Sequence, residues 1–509
     1  MTAPALPAFA ARDDALSRDA LAVLQPGFAG TTAPDWVLRL LDEGLGSVAL
    51  FARNIDTPEQ VAALTAHLRS VRPDVLVTAD EESGDVTRIE VREGSSFPGN
   101  LALGAVDDPE LTRSVAAQLG RKLAGLGVTF DWAPSADVNS DPDNPVIGTR
   151  AFGAEPDLVA RHTAAWIEGL QSAGVAACVK HFPGHGDTAV DSHHAMPRID
   201  VDEETLRSRE LVPFRAALAA GVKAVMSAHI LVPALDPRLP ATLSPTALTA
   251  LLRGPVEAGG LGYDGLVVTD GIEMRAVAGT YGIARGTVMA LAAGADAICV
   301  GGGLNDEQTV LDLRDAVVAA VRDGSLPAER LADAARRVRE VAAWAAATAD
   351  AAGRLPDDSA IGLAAARRAL RVVRDGSFAP LTAPPYVAVL EPEANIAVGD
   401  DTPWGVTGPL AALLPGTTGD VYRGEEAADA GAVLAAAGGR RLVAVVRDAH
   451  RHAWMGRALD ALVGARPDTV VVEMGLPQAP PRGALYIATH GAARVCGEAA
   501  AEVIAGREP

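Results

Sequence analysis

Cysteine is scarce, with three residues in 509. So few rule out a disulfide-stapled scaffold and fit a reducing compartment. Aromatic side chains make up only 4%, so wide stacking platforms for polymers are not expected. Basic side chains are outnumbered, 44 against 65 acidic ones, for a formal net charge of −21 with histidine neutral. A field of that sign repels nucleic acid and anionic membranes over most of the surface, yet leaves room for a local cationic pocket. No uninterrupted apolar run reaches the ~18 residues of a spanning helix. The opening MTAPALPAFAARDD lacks the basic start and unbroken apolar stretch of an export signal. The expectation is a cytoplasmic protein with neither nucleic-acid nor membrane partners.

Hydrophobic residues, in contrast, make up 49% of the chain, enough for a large core. Short apolar segments recur along the first two thirds. They are LAVL (21–24), SVALF (47–51), DVLVTA (74–79), GVTFD (127–131), AACVKH (176–181), VKAVMSAH (222–229), GLVVTD (265–270) and ADAICV (295–300). Their nearly continuous apolar character suits parallel strands covered on both faces. Ala/Leu/Arg-rich stretches such as 58–70, 109–127, 157–174 and 203–221 read as the helices between them, several closing on glycine. Eight such units predict an α/β fold, a TIM-like (β/α)8 barrel. A doubly wound sheet is the competing arrangement. The barrel is favoured because Asp80, Asp131, His181, His229 and Asp270 sit at the carboxyl ends of different strands, which a barrel gathers at one mouth.

The texture changes after about residue 330. A second α/β pattern follows, with YVAVLE (386–391), LVAVVRD (442–448), TVVVEMG (469–475) and ALYIATHG (484–491). The division expected is a catalytic barrel over 1–345, a helical linker over 346–365 and a smaller αβα sandwich over 366–509. Arg447, His450 and Glu473 stand at strand ends of the second unit, where they can face the first.

The densest polar stretch is VKHFPGHGDTAVDSHHAMP (179–197), with four histidines, one lysine and two aspartates. Its proline and glycines forbid an ordinary helix. Asp191 lies two residues from His193, close enough in a turn for the carboxylate to fix the ring tautomer and raise its basicity. His193 is thus a candidate proton donor and acceptor. Lys180 and His181 are strand neighbours that point oppositely, so both reach a pocket only if the strand bends. Asp270 ends GLVVTD on a rigid element and is a candidate nucleophile. An aspartate nucleophile and a separate proton donor fit retaining glycoside transfer. The residues alone leave other chemistries open. Lys180 could form a Schiff base. His185, Asp187, His193 and His194 could hold a metal. The set could also bind sugar without cleaving it. GGGL (301–304) could turn backbone N–H groups toward a phosphate, or simply make a tight turn.

KHFPGHGDT (180–188) followed by DSH (191–193) resembles the signature of glycoside hydrolase family 3, in its β-N-acetylglucosaminidase branch. Four further segments resemble that family in order: DEESGDVTRIE (80–90), FDWAPSADVN (130–139), IGTRAFG (147–153) and GLVVTDGIEM (265–274). The resemblance implies a retaining, exo-acting β-N-acetylglucosaminidase. Asp270 would be the nucleophile that forms a glycosyl intermediate, and His193 paired with Asp191 the acid/base. It implies sugar-binding roles for Asp80, Arg150, Lys180 and His181. Asp137 joins that set as a ligand or as the support of the Lys180–Arg150 network, and His185 as a support of the loop. No cofactor and no metal is expected, and the partner is a small-molecule glycoside. Inorganic phosphate is the alternative acceptor, because a histidine acid/base does not repel an incoming dianion as a carboxylate would. The chain departs from the family pattern at Ser83 and Asp85, where glycine and arginine are usual, and at Gly271, where a second aspartate is usual.

Overall fold

A computed structural model describes residues 8–188, 196–376, 378–392, 402–424 and 429–507. Its first unit is a curled wall of eight parallel strands. They are β1 Leu24–Pro26, β2 Ser47–Leu50, β3 Leu76–Ala79, β4 Phe130–Asp131, β5 Ala176–Phe182, β6 Ala224–Ser227, β7 Leu266–Thr269 and β8 Ile298–Val300. Strands β2 to β7 pair in chain order, β1 pairs with β8, and a bridge between Val268 and Ala297 joins β7 to β8. Between β1 and β2 there is no ladder among the described residues, and Ser47 Oγ donates to Leu24 O at 3.4 Å. The wall therefore has one seam.

The period of two along each strand decides which side chains meet. Ala49, Leu76, Phe130, Ala176, Cys178, Ala224, Met226, Leu266, Val268 and Cys299 gather in one cluster, into which the helix Ala328–Ala347 adds Val338, Val341, Ala342 and Ala345. Their alternates, among them Val48, Val77, Ala177, Val179, Val225, Val267 and Ile298, join the larger core formed with the helices. The helices start where local chemistry allows. Thr57 and Asp108 accept from the N–H groups of Gln60 and Leu111, with Pro58 and Pro109 at the first helical positions. At β8, Asp296 is fully buried, accepts from Val267 N at 2.8 Å, and is ion-paired with Arg253 and Arg330.

One predicted strand is displaced. LAVL was expected as β1, but the helix Ala8–Ala22 runs into it and the strand begins at Leu24. A short buried apolar run suits a helix end as well as a strand.

The second sheet has the order β11-β10-β12-β13-β14-β9, with β9 Arg371–Arg374 antiparallel to the rest. Its other members are β10 Tyr386–Glu391, β11 Thr418–Arg423, β12 Leu442–Val446, β13 Val470–Glu473 and β14 Leu485–Ala488. Val387, Val443, Val445, Val470 and Ile487 pack with the helix Arg494–Ile504 on one face. Ala388, Ala444, Val446, Val471 and Tyr486 pack with Ala453–Ala465 on the other. Strands β9 and β11 escape the sequence pattern because both are edges. Their side chains are largely exposed, so RVVR and TGDVYR carry no apolar run.

Candidate active site

Asp80 follows β3, Lys180 and His181 lie in β5, and Asp270 follows β7, so three strand ends deliver them to one side of the wall. With Arg150, His185, Arg88, Phe51, Trp132 and Glu273 they line a cavity of about 410 Å³. That lies within the ~300–1,000 Å³ usual for small-ligand sites. Its described lining residues all fall between Phe51 and Gly303, so none belongs to the second sheet unit. The strand neighbours Lys180 and His181 both reach it, at the point where the β5–β6 register shifts between Val179 and Phe182.

The polar groups form one network. Lys180 Nζ is bonded to Asp80 Oδ1 and lies 2.6 Å from Glu82 Oε1. Glu82 takes Arg150 in a two-point grip, Nε at 2.9 Å and Nη2 at 2.7 Å. Arg88 Nη2 donates to Asp80 Oδ2 at 3.0 Å. Burial pushes the Asp80 carboxyl up, but Lys180, then Arg88 and Arg150, outweigh it and hold it well below the usual carboxylate range. Burial would likewise discharge Lys180, yet Asp80 and Glu82 raise it above an ordinary lysine. Burial works against the Arg150 charge too, and Glu82 overcomes it. The cluster thus stays ionised with fixed directions for donors and acceptors.

Asp137 is placed differently from the sugar-contacting role considered for it. It is fully buried and does not line the cavity. Oδ2 faces His181 Nδ1 at 2.7 Å and accepts from Ser135 Oγ at 2.8 Å, while Oδ1 accepts from the backbone N–H groups of His181 and His185 at 3.2 and 2.7 Å. Three of these four contacts hold the KHFPGH segment, and the fourth is to Ser135. Arg150 Nη2 lies 3.3 Å from His181 Nε2. A guanidinium only donates, so the ring proton belongs on Nδ1, facing Asp137. The ring nitrogens of His185 have no partner among the described residues. Burial, reinforced by His181, lowers its pKa to about 4. A neutral imidazole in the cavity wall can donate or accept.

Asp270 accepts from Gly271 N at 2.8 Å, which fixes one carboxylate oxygen. His229, also at a strand end, supports this turn from behind. Its Nε2 faces Gly271 O at 2.9 Å and its Nδ1 faces Thr242 Oγ1 at 2.9 Å. Asp131 is fully buried and accepts from Glu81 N at 3.0 Å instead of opening to the cavity. Asp191, His193 and His194 lie outside the described residues. The loop leading to them is tightly seated. A Cβ at Gly186 would sit 1.7 Å from Val138 O, and Arg209 bridges Glu210 and Asp187.

Three acidic residues carry more of the site than sequence reasoning assigned them. Glu82 is the hub between Lys180 and Arg150, and its signal was the third acid of the run after β3. Glu273 fills the space beside Gly271, where its carboxylate oxygens lie 3.2 and 3.3 Å from the position of a Cβ. Its Oε2 accepts from Gly301 N at 3.4 Å, and burial raises its pKa. The GGGL turn is thus occupied by this carboxylate. Asp85 receives Thr149 Oγ1 and Arg447 Nη2, each at 2.6 Å. His450 Nε2 also crosses from the second unit, to Pro142 O at 2.9 Å. Glu473, named with these two, caps its own turn through Asp448 N and Gly475 N, both at 2.8 Å.

Residues 29–341 match the family model described as "Glycosyl hydrolase family 3 N terminal domain". Over 97% of both chains, the fold superposes with TM-score 0.85 and 34% identity on a solved glycoside hydrolase family 3 beta-N-acetylglucosaminidase from a Paenibacillus species. Beta-hexosaminidase A of Pseudoalteromonas piscicida is 35% identical over 290 residues, covering 53% of this chain and 48% of that protein. The chain thus matches about half the length of that relative. A Beta-hexosaminidase of Alkalilimnicola ehrlichii is 38% identical over 262 residues, 50% of this chain and 73% of that protein.

Proposed function

The chain belongs to glycosyl hydrolase family 3, and from that premise we propose that it is a retaining exo-β-N-acetylglucosaminidase. The observation that carries this reading is the meeting of Asp270 with Asp80, Arg150, Lys180 and His181 on one cavity, behind which Glu82 ties Arg150 to Lys180. The names of the family relatives supply the sugar. In the first half-reaction an Asp270 oxygen attacks C1, and the departing oxygen takes a proton from His193, oriented by Asp191. In the second, His193 draws a proton from water as the water oxygen replaces Asp270 at C1. The ionised network binds the hydroxyls and strengthens its contacts as positive charge grows at C1. His185 offers a neutral imidazole to the same ring. The low cysteine usage supports a reducing compartment such as the cytoplasm for this activity. No helix among the described residues is long and apolar enough to cross a membrane.

The test is direct. A p-nitrophenyl β-N-acetylglucosaminide should be cleaved faster than the glucoside. Asp270→Ala should lower kcat by at least about 10³-fold. A slow fluorinated sugar should label Asp270 in the intact enzyme, and labelling elsewhere, or none, would refute the covalent route. Turnover should be indifferent to added phosphate and yield only free sugar. A phosphate-dependent rate with sugar 1-phosphate as product would replace hydrolysis with phosphorolysis.

A further inference from the structure

Among the described residues the cavity takes no lining from the second sheet unit, yet that unit is bonded to the loops that build it. Asp85 follows Glu82 by three positions, through a tight turn in which Ser83 and Gly84 both have φ of 61°. Its side chain is nearly buried, with Oδ2 accepting from Thr149 Oγ1 at 2.6 Å. Thr149 immediately precedes Arg150 in the turn Gly148–Arg150. Asp85 therefore ties the segment bearing Asp80 and Glu82 to the segment bearing Arg150, beside the grip that Arg150 makes on Glu82. The same carboxylate is held from the other side by the second unit. Arg447, the residue after β12, donates to Oδ2 at 2.6 Å, and Ala492 N donates to Oδ1. The Arg447 side chain is 15% exposed and that of Asp85 2%. In such surroundings the link is rigid, and removing one partner leaves a buried charge without its counterion.

We propose that Arg447 is a positioning residue for the sugar site: acting through Asp85 and Thr149, it holds Arg150 in register with Glu82 and so sets the affinity of a cavity it does not touch. The effect belongs on KM more than on kcat, because Asp270, which follows β7 and accepts from Gly271 N, makes no bond to the Asp85–Thr149–Arg447 link. The inference rests on the proposed glycosidase activity and deepens it. Arg494 supplies the control. It also crosses between the units, donating to Gly94 O at 3.4 Å, but it does not touch the Asp85–Thr149 link.

The experiment compares Arg447→Met, Arg447→Lys, Thr149→Val and Arg494→Met in the full-length enzyme, reading KM, kcat, melting temperature and amide exchange over 147–152. Arg447→Met should raise KM by roughly 10- to 100-fold with a much smaller change in kcat, the scale of a displaced binding group. Amide exchange over 147–152 should quicken. Arg447→Lys should restore most of the affinity. Thr149→Val cuts the same chain of contacts inside the first unit, and should raise KM even if Arg447→Met fails to fold. Arg494→Met should leave KM and that exchange unchanged, whatever it does to melting. An Arg447→Met enzyme with wild-type KM and exchange overturns the inference, as does an equal KM rise in Arg494→Met. A wild type that cleaves no β-N-acetylglucosaminide refutes the proposed activity instead, and the exchange comparison then decides this inference by itself.

Discussion

Lys180 stands between two carboxylates, and its charge, with those of Arg150 and Arg88, lets both remain ionised. Lys180→Met leaves Asp80 and Glu82 facing each other with Arg88 and Arg150 as the remaining cations. The expected loss is about 3–5 kcal/mol of stability, read from urea unfolding, with weakened sugar binding. Adding Glu82→Gln to that variant should recover part of the stability, because one uncompensated charge is gone. At this scale much was legible in the sequence. Six of the residues carried over from the resemblance, Asp80, Arg150, Lys180, His181, His185 and Asp270, converge on one cavity, while Asp191 and His193 lie outside the described residues. For Asp137 the sequence left ligand contact and structural support open, since an aspartate in a loop reads alike whether it faces a ligand or a backbone N–H, and the structure has it bracing His181 and His185. Glu273 was hidden for a related reason. Only the fold shows that the space at Gly271 is filled from two positions further along.

Elements carry the next level of the argument. The segment from Phe182 to Asp187 leaves the end of β5 through a turn and must pass over Val138 without a side chain in the way. Gly186→Ala puts a methyl against Val138 O. The loop must then move, and with it the route toward position 193. Turnover should fall about 10²-fold while far-ultraviolet circular dichroism stays that of the wild type. If kcat is unchanged, the loop tolerates displacement and its seating is not needed for catalysis. The interior strands were legible because both faces are covered and their apolar runs are unbroken. The edge strands β9 and β11 were not, because an exposed edge does without that run. The first strand was misplaced by the helix that shares its apolar residues.

For the molecule as a whole, the buried acids set the pH response. Glu81, Glu210 and Glu473 are raised by burial from 4.5 to about 7. The folded chain thus binds more protons at these sites than the unfolded chain, and the stability they contribute is complete below pH 4.5 and is lost as pH rises through 7. His185 works in the opposite sense. Its pKa falls from 6.5 to about 4, so its contribution is present above 6.5 and is lost as pH falls through 4. Asp80 and Asp137, both depressed, act in the same direction at still lower pH. Stability should therefore peak on the acid side of neutrality and fall by about 2 kcal/mol between pH 6.5 and 8. Urea midpoints across that range check it, and Glu81→Gln should flatten the fall. A midpoint that rises toward pH 8 would contradict the assignment.

The seam beside β1 has a consequence of its own. Among the described residues, seven of the eight junctions round the wall are stitched by backbone pairing, and the eighth has side-chain packing and the Ser47 Oγ–Leu24 O bond in place of a ladder. A ring fastened in this way has a preferred place to unzip. Strain from a swollen or overfilled interior would part the Leu24–Pro26 and Ser47–Leu50 flanks before any stitched pair gives way, far along the chain from the carboxylate at 270.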